Sequence, residues 1–292
     1  MPRGFRCDAG SVNTVVDILY RPRGRFAANH VGAHTSSEVG GFGVFRDQAP
    51  FMRYPDARRI DLRATLRDPF GVTYVRRFEQ RAAIDVYALV DLSASMGFAG
   101  AVNRFQVAVD LCGALAYSAT RSGDRFGVFG FKEALVGRAT LPATRSRRAA
   151  LAAVERIGVE TPGGSSAKGV LDAAAALGAT RKLVFLISDF RWPAQLIEQA
   201  FEALSLHDVA PLVLIDSLEA APPKWGVLEL CDSESGRRQL LLMRPALQRR
   251  WVEAEQFRRK NLARATSRRS RAPIFIQDSF DASDLSMRLT AA

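Results

Sequence analysis

From about residue 85 onward, short apolar runs alternate with helical patterns. Val86-Tyr-Ala-Leu-Val90 is continuously apolar, as expected of a strand covered on both faces. A helix is predicted over about 103–120, where Phe105, Ala108, Val109, Cys112, Leu115, Ala116 and Ala119 recur on one face. Ser122-Gly-Asp124 breaks it, and 126–131 reads as a second strand. Helical patterns follow over 147–157 and 167–177, then a strand at 183–188, a helix at 194–206 and a strand at 210–215. Such alternation predicts an α/β fold, a doubly wound, mostly parallel sheet with helices on both faces. Sheets of this kind bind ligands beyond the carboxyl ends of their strands.

The two ends of the chain read differently. Before residue 80 the sequence is Arg- and Gly-rich and weakly periodic, with a glycine-punctuated turn and short strand at 40–46. Two strands are expected at 60–66 and 72–78, around the turn Asp68-Pro-Phe-Gly71. In the tail, 227–230 and 239–243 read as an inserted hairpin near 225–243. A long basic amphipathic helix is expected at 249–266, a last strand at 273–277 and a last helix at 282–289. The expected organisation is a small β-rich N-terminal section over 1–80 and a larger α/β domain over 81–292.

Composition narrows the class. The chain has 292 residues, of which 48% are apolar and 24% charged, enough for a buried core. No run approaches the ~18 apolar residues of a membrane span, and Met1-Pro-Arg-Gly-Phe-Arg lacks the apolar region of a secretory signal. A cytoplasmic location is the expectation. Cys7, Cys112 and Cys231 are widely spaced and odd in number, which suggests neither a disulfide framework nor a zinc knuckle. The net charge of +11 raises nucleic-acid binding as an alternative. The basic residues, however, are mostly arginines spread along the chain, and an acidic protein partner suits them better.

The chemistry concentrates after the first buried strand. Asp91-Leu-Ser93-Ala-Ser95 sets one carboxylate and two hydroxyls on the same side of a tight loop. These are hard oxygen donors, suited to Mg²⁺ or a similar cation, though Ser and Asp after a strand are also ordinary turn formers. Thr161-Pro-Gly-Gly-Ser165 opens a later helix with a third hydroxyl, and Leu186-Ile-Ser-Asp189 ends the next strand with a second carboxylate. All three loops leave one edge of the predicted sheet, so they can converge on one ion.

Together, Asp91-x-Ser93-x-Ser95, Gly-Gly-Ser165 and Ile-Ser-Asp189 resemble the metal-ion-dependent adhesion site (MIDAS) of von Willebrand factor A domains. That family usually has threonine where this chain has Ser165, and Ser166 is a substitute. The resemblance implies that Ser93, Ser95 and Ser165 ligate a divalent cation, most often Mg²⁺, with Mn²⁺ or Ca²⁺ as alternatives. Asp91 and Asp189 would act through water or as outer acceptors. A partner's Asp or Glu would take the open coordination position.

The segment 54–80 and the stretches around Asp216, Pro222-Pro223 and Asp232-Ser-Glu-Ser-Gly236 are similar to a bacterial subfamily of uncharacterised proteins. Its members are often encoded beside MoxR-type AAA+ ATPases, and one branch serves methanol oxidation clusters. By that resemblance the chain is a metal-dependent protein-interaction adaptor or co-chaperone, working with such an ATPase in maturing or remodelling a client. Client, oligomeric state and the role of the basic stretch 249–271 are not encoded in any motif.

A divalent-metal-dependent hydrolase is the alternative, and it lacks its parts. Gly163-Gly-Ser-Ser-Ala-Lys168 does not fit P-loop spacing, and Gly-x-Ser-x-Gly is absent. No histidine lies near the metal loops, and no carboxylate is clearly placed as a general base. The expectation is therefore no enzyme activity. His30 and His34 are four residues apart, but Val-Gly-Ala between them is not helical, and they read as solvated or capping residues.

Overall fold

The computed structural model describes residues 17–24, 26, 31–40, 44–231, 238–267 and 269–291. The chain first forms β1 (Val31–Gly40), β2 (Val44–Pro50), α1 (Leu62–Arg67) and β3 (Tyr74–Ala82). β3 lies between the other two strands, antiparallel to both. A segment expected as a strand, 60–66, is helical instead. The Asp61 carboxylate accepts hydrogen bonds from the backbone N–H groups of Arg63 and Ala64 and starts α1, which leaves Leu62 and Leu66 in solvent. A side-chain cap thus overrode a short apolar alternation. His30 lies outside the described residues. The backbone at His34 is strand, not the helix that a metal-bridging i, i+4 pair needs.

The larger sheet follows in β4 (Asp85–Asp91), α2 (Arg104–Arg121), β5 (Arg125–Phe131), β6 (Leu135–Thr144), α3 (Arg147–Gly158) and α4 (Val170–Leu177). It continues through β7 (Leu183–Ser188), α5 (Ala194–Ala203), β8 (Asp208–Ile215) and α6 (Ser217–Ala220). The hairpin β9 (Gly226–Cys231) and β10 (Arg238–Met243) precedes α7 (Pro245–Thr266), β11 (Ile274–Gln277) and α8 (Ala282–Thr290). The sheet order is β11-β8-β7-β4-β5-β6, parallel throughout except for the β5–β6 pair. This is the α/β fold expected, with a mostly parallel sheet and helices on both faces. The antiparallel edge strand β6 was not apparent from its pattern, because its burial is irregular and most of it is only partly buried.

Side chains of β4 alternate between two cores. Val86, Ala88 and Val90 face α2, α3 and α8, whereas Tyr87 and Leu89 face α4, α5 and the end of α7. Both faces are covered, and for that reason the strand reads as an unbroken apolar run. Ile18, Tyr20 and Phe26, far upstream in sequence, join the α2 side of the core. The Ile18 N–H donates to Ser118 Oγ at 2.8 Å, and the Tyr20 hydroxyl to Asp124 at 2.6 Å.

Strand order places the site. The chain moves from β4 to β5 on one side, then returns to add β7 on the other. The crevice between the carboxyl ends of β4 and β7 is therefore the point where the winding reverses. Val90 is in register with Ile187, so Asp91 leaves the sheet beside Ser188 and Asp189.

Candidate metal centre

Asp91 is the last residue of β4 and is wholly buried. Its Oδ1 accepts the Ser93 N–H at 2.8 Å. Its Oδ2 accepts the Ser188 hydroxyl at 2.6 Å and the Trp192 indole N–H at 2.9 Å. All three donors are neutral. Burial, with the Asp189 charge nearby, pushes the Asp91 carboxyl up to about 6. Ser93 and Ser95 stand over it with hydroxyls 3.3 Å apart, on the short 3-10 turn Ala94–Gly97. Ser93 is buried, and Ser95 reaches the wall of a cleft of about 510 Å³.

The third loop packs on the first. The Gly163 N–H donates to the Leu92 carbonyl at 2.9 Å, and Pro162 lies against Gly97 so closely that an added Cβ would sit 3.3 Å away. The Ser165 side chain turns elsewhere. It is exposed, and both its N–H and its hydroxyl donate to the Glu133 carboxylate, which falls below its ordinary value chiefly through the N–H bond. Glu133 crowds Gly164, whose φ of +96° few other residues adopt. The structure therefore gathers Asp91, Ser93, Ser95 and Asp189 and brings the Ser165 turn to the same edge, but pairs the Ser165 hydroxyl with Glu133.

Asp189 follows β7 and is buried. Its Oδ1 accepts the Arg191 N–H at 3.1 Å, and its Oδ2 accepts Arg104 Nη1 at 2.7 Å. Arg104, also buried, reaches the Ser95 carbonyl at 3.1 Å and pairs with Glu219 on α6. The backbone then turns at Phe190, whose φ of +52° is left-handed, and Arg258 of α7 donates to the carbonyls of Asp189 (3.1 Å) and Phe190 (3.4 Å). Phe190 packs against Trp192 and Phe201 behind the turn. On the other side, Asp216 accepts the N–H groups of Ala101 and Val102 while capping α6, and so fixes the chain leaving the Ser95 turn.

These supports were not evident in the sequence. The best signal was Arg104 itself: a cation at the first position of a helix opposes the helix dipole and calls for nearby anions. Among the described residues no group of three or more His, Cys, Asp or Glu side chains gathers as a metal cage. The candidate donors are mainly hydroxyls. A buried carboxylate held by neutral donors alone, beneath two clustered hydroxyls, fits a small hard cation.

A family model described as "Protein of unknown function DUF58" matches residues 50–261. The chain belongs to this family. An "Uncharacterized protein in moxR 3'region" of Paracoccus denitrificans is 35% identical over 97 residues, which cover 33% of this chain and 92% of that protein. Among solved structures, the conserved hypothetical protein BatB from Bacteroides thetaiotaomicron superposes with a TM-score of 0.42 at 14% identity, covering 71% of this chain and 96% of that one. Manganese-loaded Plasmodium vivax TRAP protein gives a TM-score of 0.40 at 16% identity, covering 71% and 72%. Proximal thread matrix protein 1 from the mussel byssus, with a zinc-occupied MIDAS motif, gives 0.39 at 14%, covering 71% and 46%. These structural likenesses are distant.

Proposed function

We propose that this chain is a metal-dependent adaptor or co-chaperone that docks a partner's carboxylate and works with a MoxR-type AAA+ ATPase on a client protein. The observation that carries the reading is Asp91, buried with no counter-cation among the described residues, behind the clustered Ser93 and Ser95 hydroxyls, of which Ser95 reaches the rim of an open cleft. A divalent ion there, Mg²⁺ in first place, supplies the missing positive charge and a Lewis-acid position for an Asp or Glu. Ser93 and Ser95 would hold it directly, with Asp91 and Asp189 ordering them from behind. Ser165 would join only on leaving Glu133.

The AAA+ partner is supported by the relative described as lying in a moxR 3' region. We propose a cytoplasmic location on the strength of that ATP-consuming partner alone. No described helix is long and apolar enough to cross a membrane. The chemistry proposed is ligation rather than turnover.

Capture of a MoxR-type ATPase from the same organism tests the reading. Retention in millimolar Mg²⁺ that disappears in chelator, and in Asp91→Ala, is expected. Retention indifferent to both overturns it.

A further inference from the structure

The candidate centre contains a cation of its own. Arg104 is 2% exposed, among the largest fully buried side chains described. Its guanidinium bridges Asp189 and Glu219, donates to the Ser95 carbonyl, and stacks over the Phe98 ring with 5.1 Å to the ring centroid. Removing such an ion from water costs several kcal/mol unless close anions compensate it. Asp189 and Glu219 do so, and Glu219 also takes Arg191 at 2.9 Å. The result is an asymmetry between the two carboxylates of the site. Asp189 is paired with an arginine that offsets much of its charge, whereas among the described residues Asp91 receives only neutral donors.

That asymmetry bears on what a bound ion can do. Each uncompensated carboxylate strengthens cation binding but also cancels charge that would attract an incoming anion. Resting on the function proposed above, we infer that Arg104 is a positioning and selectivity residue. It keeps Asp189 out of the metal's charge balance, so that an ion held over Asp91 retains the charge to take an external carboxylate. The site is thereby tuned for a carboxylate ligand at the expense of metal affinity.

The test is calorimetric titration of Mn²⁺, then of acetate into the Mn²⁺-loaded protein, for wild type, Arg104→Met, Asp189→Asn and the double variant, with folding followed by circular dichroism. Arg104→Met should bind Mn²⁺ about tenfold more tightly, the scale of one added charge near a partly screened ion, and acetate more weakly. Asp189→Asn should cost about tenfold more Mn²⁺ affinity in the Arg104→Met background than alone. A merely structural arginine would weaken both ligands together.

Unchanged or weaker Mn²⁺ binding by folded Arg104→Met, or equal cost of Asp189→Asn in both backgrounds, overturns the inference while leaving the site reading intact. If Arg104→Met does not fold, Arg104→Gln decides the same titration. It removes the charge while keeping a hydrogen-bond donor, so tighter Mn²⁺ supports the inference and unchanged or weaker binding overturns it. No Mn²⁺ binding by wild type or any variant overturns both the site reading and this inference.

Discussion

His207, between α5 and β8, is buried with no hydrogen-bond partner for its Nδ1 among the described residues. Burial, reinforced by the charges of Lys182 and Arg181, depresses its pKa from 6.5 to about 4. The unfolded chain therefore takes up a proton at this residue between about pH 6.5 and 4 while the folded chain does not. Stability is fully present above that window and falls within it, by ~2–3 kcal/mol at most. Urea unfolding at pH 7 and pH 4.5 should show the loss, and His207→Leu should reduce it. An equal loss in the variant would assign acid sensitivity elsewhere. Trp192→Phe keeps the ring against Phe131 and Phe190 but removes the indole donor to Asp91. It should cost about 1–3 kcal/mol in denaturant unfolding at pH 7. At this scale the sequence was readable where partners are neighbours: Asp91, Ser93 and Ser95 fall within one turn. Arg104 and Glu219 were not, because their partners lie about a hundred residues away and only folding unites them.

Among the elements, the buried strands and amphipathic helices were legible because burial on both sheet faces leaves a strong apolar signature. Where burial is partial the signature fails, as in the half-exposed edge strand β6 and the capped helix α1. The basic pattern at the end of the chain also gains a meaning. Arg258 of α7 pairs with Glu255 and holds the carbonyls of the left-handed turn at Asp189 and Phe190. Part of that charge is therefore internal scaffolding for the turn that carries Asp189. Arg258→Met should speed hydrogen exchange at the Phe190 and Arg191 amides, which donate to Ser188 and Asp189, and leave the amides of β7 protected. Uniform loss of protection across the sheet would show instead that α7 supports the whole fold. The division of the chain into an N-terminal β-rich section and an α/β domain remains our proposal for its organisation. It must accommodate Ile18, Tyr20 and Phe26, which pack in the core of the larger sheet.

For the whole molecule, the strand order reverses its winding between β4 and β7, and the site we propose lies at that carboxyl edge of the sheet. Under the proposed function, the net charge of +11 would add long-range steering toward an acidic partner. Association rates with the ATPase or client should therefore fall several-fold between 50 and 300 mM salt, while dissociation rates change less. Salt-indifferent association rates in surface plasmon resonance would remove charge from the account. The central claim, that Asp91, Ser93 and Ser95 hold a divalent ion, is tested most directly by equilibrium titration of Mn²⁺ into wild type, Ser95→Ala and Asp91→Ala, each verified as folded. One site per chain in wild type, weakened about tenfold or more in Ser95→Ala and lost in Asp91→Ala, is the predicted result. Binding of equal strength in all three proteins, or in none, would contradict it.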